Sequence, residues 1–200
     1  MLDRLLRPLL DPPLDRVAEW VALFGVSANA LTWTGFAIGL AALPTIAAER
    51  YVEGLILILV NRLIDGLDGA LARQTSPTDW GAYSDIVCDF IFYSSVVFAF
   101  ALARPTNATA AAFLIFSFVG SGSSFLGFAV IAAKRSLTTA ARGSKSIYYL
   151  GGLTEGTETI VAFVVFCLVP GSFPVAAVAF GVLCWITTTS RIATALANFS

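Results

Sequence analysis

Asp65, Asp68, Asp85 and Asp89, with Arg62 and Arg73 among them, stand in the stretch NRLIDGLDGALARQTSPTDWGAYSDIVCDF, residues 61–90, inside a chain that is otherwise oily. Each ionised residue at the centre of a transmembrane helix costs about 2.5–3.5 kcal/mol, so four unpaired aspartates would cost on the order of 10 kcal/mol and need an offsetting partner. Clustered carboxylates without His or Cys make a hard, oxygen-rich site, which suits Mg²⁺, Mn²⁺ or Ca²⁺ and not zinc or copper. Two divalent ions would balance the four charges and leave coordination positions for substrate oxygens, the arrangement by which a metal pair handles phosphoryl groups. Gly69 and Gly81 would let a ligand approach a helix backbone closely, and Arg73, at the mouth of the site, could fork onto a phosphate.

Helical spacing says which elements must hold these residues. Arg62, Asp65, Asp68, Gly69 and Ala72 follow a three-and-four pattern down one face, as do Gly81, Asp85 and Asp89 on the next helix. The short loop around Ser76 and Pro77 makes the two helices antiparallel neighbours, with their carboxylates facing each other near one membrane surface. The chain as a whole has 200 residues, 58% hydrophobic and 12% charged, with a mean hydropathy of +0.83, which marks an integral membrane protein. Runs long enough to cross a bilayer, roughly twenty residues each, fall near 30–48, 54–74, 80–103, 109–133, 147–169 and 174–197. Ahead of them, residues 1–25 mix Leu with Arg and Asp around Pro12 and Pro13 and lack the apolar core of a secretory signal. They are expected to form an interfacial amphipathic helix, with a break at the prolines left open. The fold class expected is therefore all-α: six transmembrane helices at 30–197 plus the interfacial helix, in one domain.

Arg4, Arg7, Arg16, Arg73, Lys134, Arg135, Arg142, Lys145 and Arg191 share one side of this path, whereas Arg50 and Arg104 fall on the other, which places both termini and the aspartates at the cytoplasmic face. A net charge of −1 gives no basic excess that would point to nucleic acid. The absence of histidine removes His-based catalysis and the usual zinc sites. Cys88, Cys167 and Cys184 show no paired spacing and read as packing residues.

The string Asp65-x-x-Asp68-Gly69-x-x-Ala72-Arg73, then seven residues, then Gly81-x-x-x-Asp85-x-x-x-Asp89, resembles the full signature of the class-I CDP-alcohol phosphotransferase family. The stretch VSANALT, residues 26–32, is similar to the family's approach to its first membrane helix, and LGGLTEGTETI is similar to small bacterial inner-membrane members. The resemblance implies a CDP-linked lipid, usually CDP-diacylglycerol, whose phosphatidyl group passes to the hydroxyl of a small alcohol with release of CMP. By position, Asp65, Asp68, Asp85 and Asp89 would surround two Mg²⁺ or Mn²⁺ ions. Gly69 and Arg73 would contact the CDP moiety, Ala72 and Gly81 complete the CDP-lipid signature, Asn29 and Thr32 would stand near the nucleotide, and Asp89 would be the base. It also implies a homodimer, for which no sequence feature speaks.

Asp79 reads as a loop charge or a cap of the following helix. Arg62 is open between an ion pair with a site aspartate and a contact with acceptor or nucleotide. Ser121, Ser123 and Ser124 read as close-packing residues. Glu155 and Glu158 are costly in or near a membrane helix, which favours a place in the acceptor pocket over a helix start. Relatives that use inositol phosphate place basic residues within the end of the preceding helix, which here reads FAVIAA, residues 128–133. That favours an acceptor without a phosphate, or one with an amine that Glu155 could meet. Two rival functions are a cation or proton transporter, since intramembrane acids mark ion routes, and a non-catalytic CDP-lipid-binding member.

Overall fold

In the computed structural model, which describes residues 2–135 and 152–199, the chain is all-helical. Its helices are α1 (Leu2–Leu23), α2 (Ala28–Ala47), α3 (Tyr51–Gln74), α4 (Asp79–Ala103), α5 (Ala108–Lys134), α6 (Gly156–Leu168) and α7 (Phe173–Phe199). Six of them follow the predicted hydrophobic runs, and α1 matches the predicted amphipathic segment. Arg142 and Lys145 lie outside the described residues.

Length and polarity divide the six. α2, α4, α5 and α7 are long and apolar enough to cross a membrane. α3 is long enough at 24 residues but carries Glu53, Arg62, Asp65, Asp68 and Arg73. The expected span at 147–169 is shorter as a helix, because residues 152–155 are non-helical and α6 starts at Gly156. Its 13 residues reach about 20 Å at ~1.5 Å per residue, short of a bilayer core of about 30 Å.

α1 runs unbroken through Pro8, Pro12 and Pro13. All three prolines are exposed, so their rings lie off the face that packs on α3. Leu14, Ala18, Val21 and Ala22 hold the helix against Leu67, Ala70 and Leu71 of α3. Val17, Trp20, Leu23 and Phe24 point away from that contact and are exposed. Trp33, Trp80 and Tyr83 are also exposed on α2 and α4, an arrangement of amphipathic rings suited to a membrane interface.

Caps set the two helix starts that flank the aspartates. Ser27 accepts from the Ala30 amide at 3.2 Å, and Thr78 accepts from the Gly81 amide at 3.0 Å. Thr78, not Asp79, is thus the side-chain cap of α4, and Asp79 is its exposed first residue.

α2 packs along both α3 and α4, and α5 along α7. The core between them is aromatic: Phe100 stacks on Phe173 at 4.6 Å, Phe166 meets Phe173 at 5.0 Å, and Phe92 meets Phe163 at 6.3 Å. Cys88, Cys167 and Cys184 are buried thiols. Glycine permits the closest helix approach at Gly54, where an added Cβ would run into Ile46. Gly54→Ala should therefore lower stability by about 1–3 kcal/mol, read as a drop in thermal midpoint in detergent with no change in activity per folded molecule. At the far end from the site, Arg104 pairs with Glu49 at 2.6 Å, joining the loops before α3 and after α4. The hydrogen bond from Arg104 holds the Glu49 carboxyl below its usual range.

Candidate active site

The α3–α4 hairpin brings together three of the four carboxylates expected to meet, and leaves Asp89 outside them. One carboxylate oxygen each from Asp65, Asp68 and Asp85 lies within 4.8 Å of the others. Asp68 is the deepest, 5% exposed, with the Thr32 side chain of α2 beside it. Its Oδ2 is buried without a hydrogen-bond partner. A buried acceptor left unsatisfied costs about 1–3 kcal/mol, more when charged, and three crowded carboxylates repel one another. A divalent cation answers both problems, and an all-oxygen donor set fits Mg²⁺ or Mn²⁺. The residues present therefore fit the metal that the sequence led us to expect.

Asp89 sits differently. It lies one turn along α4 from Asp85, outside the group of three. Arg62 Nη1 donates to its Oδ1 at 2.8 Å and to Asp65 Oδ2 at 3.5 Å. The Tyr93 hydroxyl, one turn further on, lies 3.4 Å from Asp89 Oδ2 and accepts from Arg62 Nη1 at 3.2 Å. Arg62 is fixed from behind: its Nε donates to Asn61 Oδ1 at 2.7 Å, and Asn61 Nδ2 donates to the Gly35 carbonyl of α2 at 2.8 Å. Its guanidinium also rests over the Phe92 ring at 4.6 Å. Of the two readings open for Arg62, the structure gives the ion pair. A small cleft lined by Thr32, Gly35, Phe36, Asn61, Arg62, Asp65, Cys88 and Asp89 opens between α2, α3 and α4.

Two further expectations, for Arg73 and Gly81, change in the folded chain. Arg73, expected to face a phosphate, pairs with Asp15 of α1 at 2.9 Å, and Gln74 donates to the Asp15 carbonyl at 2.8 Å. Gly69 does keep open ground, since the nearest atom an added Cβ would meet is Arg73 Nη1 at 3.8 Å. Gly81 instead makes room for α2: a Cβ there would stand 2.9 Å from Asn29 Oδ1 and 3.0 Å from Thr78 Oγ1. Asn29 and Thr32 are accordingly brought to the hairpin by packing against α4 and α3, and Ala72 is half-buried beside Arg73.

Glu155 and Glu158 form a capping box at the start of α6. The Glu155 amide donates to Glu158 Oε2 at 3.0 Å, and Glu155 Oε1 accepts from the Gly152 amide at 3.1 Å. The helix-start reading, the less favoured of the two on sequence grounds, thus explains why two acids occur three residues apart here. Tyr93 and Asp15 were missed. Tyr93 could have been found at four residues beyond Asp89 on the same face, whereas nothing in the sequence of α1 links Asp15 to Arg73. Ser121 accepts from Arg191 Nη1 at 3.0 Å through its carbonyl, and the neighbouring Gly122 packs against Phe90.

The family model for CDP-alcohol phosphatidyltransferase matches residues 25–193. The chain belongs to the CDP-alcohol phosphatidyltransferase family. It is 51% identical to inner membrane protein YnjF of Escherichia coli over 96% of this chain and 94% of that one. It is 34% identical to the archaetidylinositol phosphate synthase of Pyrococcus horikoshii over 51% of this chain and 54% of that one. Its fold is like that of Mycobacterium tuberculosis phosphatidylinositol phosphate synthase PgsA1 in the crystal structure with CDP-DAG bound. The TM-score is 0.65 at 22% identity, covering 90% of this chain and 92% of that one. A second structure of PgsA1, in complex with manganese and citrate, gives a TM-score of 0.67. The region that the CDP-alcohol phosphatidyltransferase model matches begins after α1, so the Asp15 side of the Arg73 pair lies outside it.

Proposed function

We propose that this protein transfers the phosphatidyl group of CDP-diacylglycerol to the hydroxyl of a small alcohol and releases CMP, at the cytoplasmic face of a bacterial inner membrane. The observation that carries the reading is the convergence of Asp65, Asp68 and Asp85, with the buried Asp68 Oδ2 unsatisfied, in a chain of this family. A divalent metal pair held by Asp65, Asp68, Asp85 and Asp89 would supply positive charge for the pyrophosphate and the leaving CMP.

The chain's own residues do the rest. The open ground at Gly69 admits the pyrophosphate to the α3 backbone. Arg73, once exchanged from Asp15, gives it a charged fork. The acceptor oxygen bonds to the phosphorus that carries the diacylglycerol, the bridging P–O bond breaks, and CMP leaves with that electron pair. Asp89 takes the acceptor's proton on Oδ2, because Arg62 engages Oδ1. An acceptor without a phosphate remains our expectation, although Glu155 and Glu158 support it less now that both serve the cap of α6.

Phe92, Phe100, Phe163, Phe166 and Phe173 fill the bundle as fully buried side chains. A cation route from the carboxylates to the opposite face would have to displace them, which favours transfer over transport. The test is CMP production by the purified protein in detergent with CDP-diacylglycerol, Mg²⁺ or Mn²⁺ and a panel of alcohols. Ion flux in liposomes together with no CMP from any acceptor would replace this reading with a transporter, and CDP-lipid binding without turnover with a non-catalytic member.

Arg73→Ala should raise the KM for CDP-diacylglycerol about tenfold, the loss of one charge-assisted contact worth roughly 1.5 kcal/mol. Asp15→Asn should leave KM equal or lower, since the exposed pair it breaks is worth only about 0.2–1 kcal/mol. Unchanged KM in Arg73→Ala would mean that Arg73 serves α1 alone.

A further inference from the structure

This inference rests on the metal-dependent transferase reading above and concerns how its fourth carboxylate is kept. We propose that Arg62 is a positioning residue that holds Asp89 out of the carboxylate triad, so that the substrate-free centre takes one divalent cation and the second enters only with the substrate's pyrophosphate.

The first ground is what Asp89 touches. Arg62 Nη1 lies 2.8 Å from its Oδ1, and that nitrogen also reaches Asp65 Oδ2 at 3.5 Å. The guanidinium therefore stands between the fourth carboxylate and the edge of the triad, where an ion shared by Asp65 and Asp89 would need to be. Asp65, Asp68 and Asp85 meet within 4.8 Å without Asp89. Asp68 Oδ2, on a residue only 5% exposed, lacks a hydrogen-bond partner. One cation position is thus preformed, and the other is filled by a protein cation.

The second ground is that Arg62 is placed by the packing of α2 on α3 and not by Asp89. Its side chain is 15% exposed. Asn61 fixes its Nε, the Gly35 carbonyl fixes Asn61, and the ring of Phe92 lies under the guanidinium. Gly39 has no space even for a methyl group between Phe92 Cδ2 at 2.8 Å and Asn61 Nδ2 at 2.9 Å, so this support is tightly seated. A guanidinium gripped on its far side keeps its orientation whether or not a carboxylate answers it.

Charge supplies the third ground. With Asp89 neutralised by Arg62, three negative charges remain. One divalent ion leaves the centre slightly negative, whereas a second would leave it positive beside a partly buried guanidinium, where repulsion is less screened than at the surface. The pyrophosphate of a nucleoside-diphosphate-linked lipid brings two further negative charges, which makes room for the second ion. Until then Asp89 is reserved, with Oδ1 on Arg62 Nη1 and Oδ2 beside the Tyr93 hydroxyl.

The test counts Mn²⁺ bound per chain, from the electron paramagnetic resonance signal of unbound Mn²⁺, in the purified full chain without substrate. The wild type should bind one. Arg62→Met, which removes the charge, should bind two, and Arg62→Lys, which keeps it, should return to one. If Arg62→Met does not fold, Arg62→Gln decides the same question, with two expected. Two ions in the wild type, one in the uncharged variant, or two in Arg62→Lys would overturn the inference while leaving the metal centre standing. No bound Mn²⁺ in the wild type would overturn the metal-centre reading itself, and this inference with it.

Discussion

Asp89→Asn is expected to lower CMP release by about 10²–10⁴-fold, the usual contribution of a positioned general base. The substitution is nearly isosteric, so the amide side chain can still present a carbonyl oxygen to Arg62 while losing the capacity to take a proton. Mn²⁺ bound by Asp65, Asp68 and Asp85 should persist, because Asp89 is not among the oxygens that converge there. Removing its charge leaves Arg62 the weaker contact with Asp65 at 3.5 Å and the Tyr93 hydroxyl at 3.2 Å. Some loss of stability is expected from the weakened part-buried pair, so activity must be compared per folded molecule by single-turnover CMP release. Full activity in this variant would move the base elsewhere.

Asp68→Asn should act on the metal and reverse its effect on stability. In the wild type, Mn²⁺ at about one hundred times its Kd should raise stability by about 2.7 kcal/mol, seen as an upward shift of the thermal midpoint. Asp68→Asn should abolish most of that shift and lower CMP release by at least ~10²-fold, since the central metal-facing oxygen loses its charge. In a chelator the same variant should be as stable as the wild type or more so. Three carboxylates within 4.8 Å repel one another, and Asp68 Oδ2 has no hydrogen bond to lose. A full Mn²⁺-dependent shift in Asp68→Asn would remove Asp68 from the metal centre.

The prolines of α1 and the glutamates of α6 show where local rules needed the fold to complete them. Pro12 and Pro13 argue for a break by propensity, yet α1 continues because Leu14 and Ala18 bind it to α3 and the prolines lie on its outer face. For Glu155 and Glu158 the cost of acids near a membrane favours the acceptor pocket over a helix start on sequence grounds. The non-helical course of residues 152–155 makes Glu155 the N-cap and so accounts for the spacing of the two acids by a helix start.

Read alone, the sequence determined the membrane setting, the order of the helices and the convergence of Asp65, Asp68 and Asp85. Those properties depend on hydropathy, on the helical period of about 3.6 residues and on one short connection, all of which are local. The partners of the long charged side chains were decided only by tertiary structure: Arg62 with Asp89, Arg73 with Asp15, and Gly81 as the seat of Asn29. A guanidinium reaches several ångströms in many directions, so its partner depends on which helix crosses nearby and at what depth, and periodicity within one helix carries no record of that crossing.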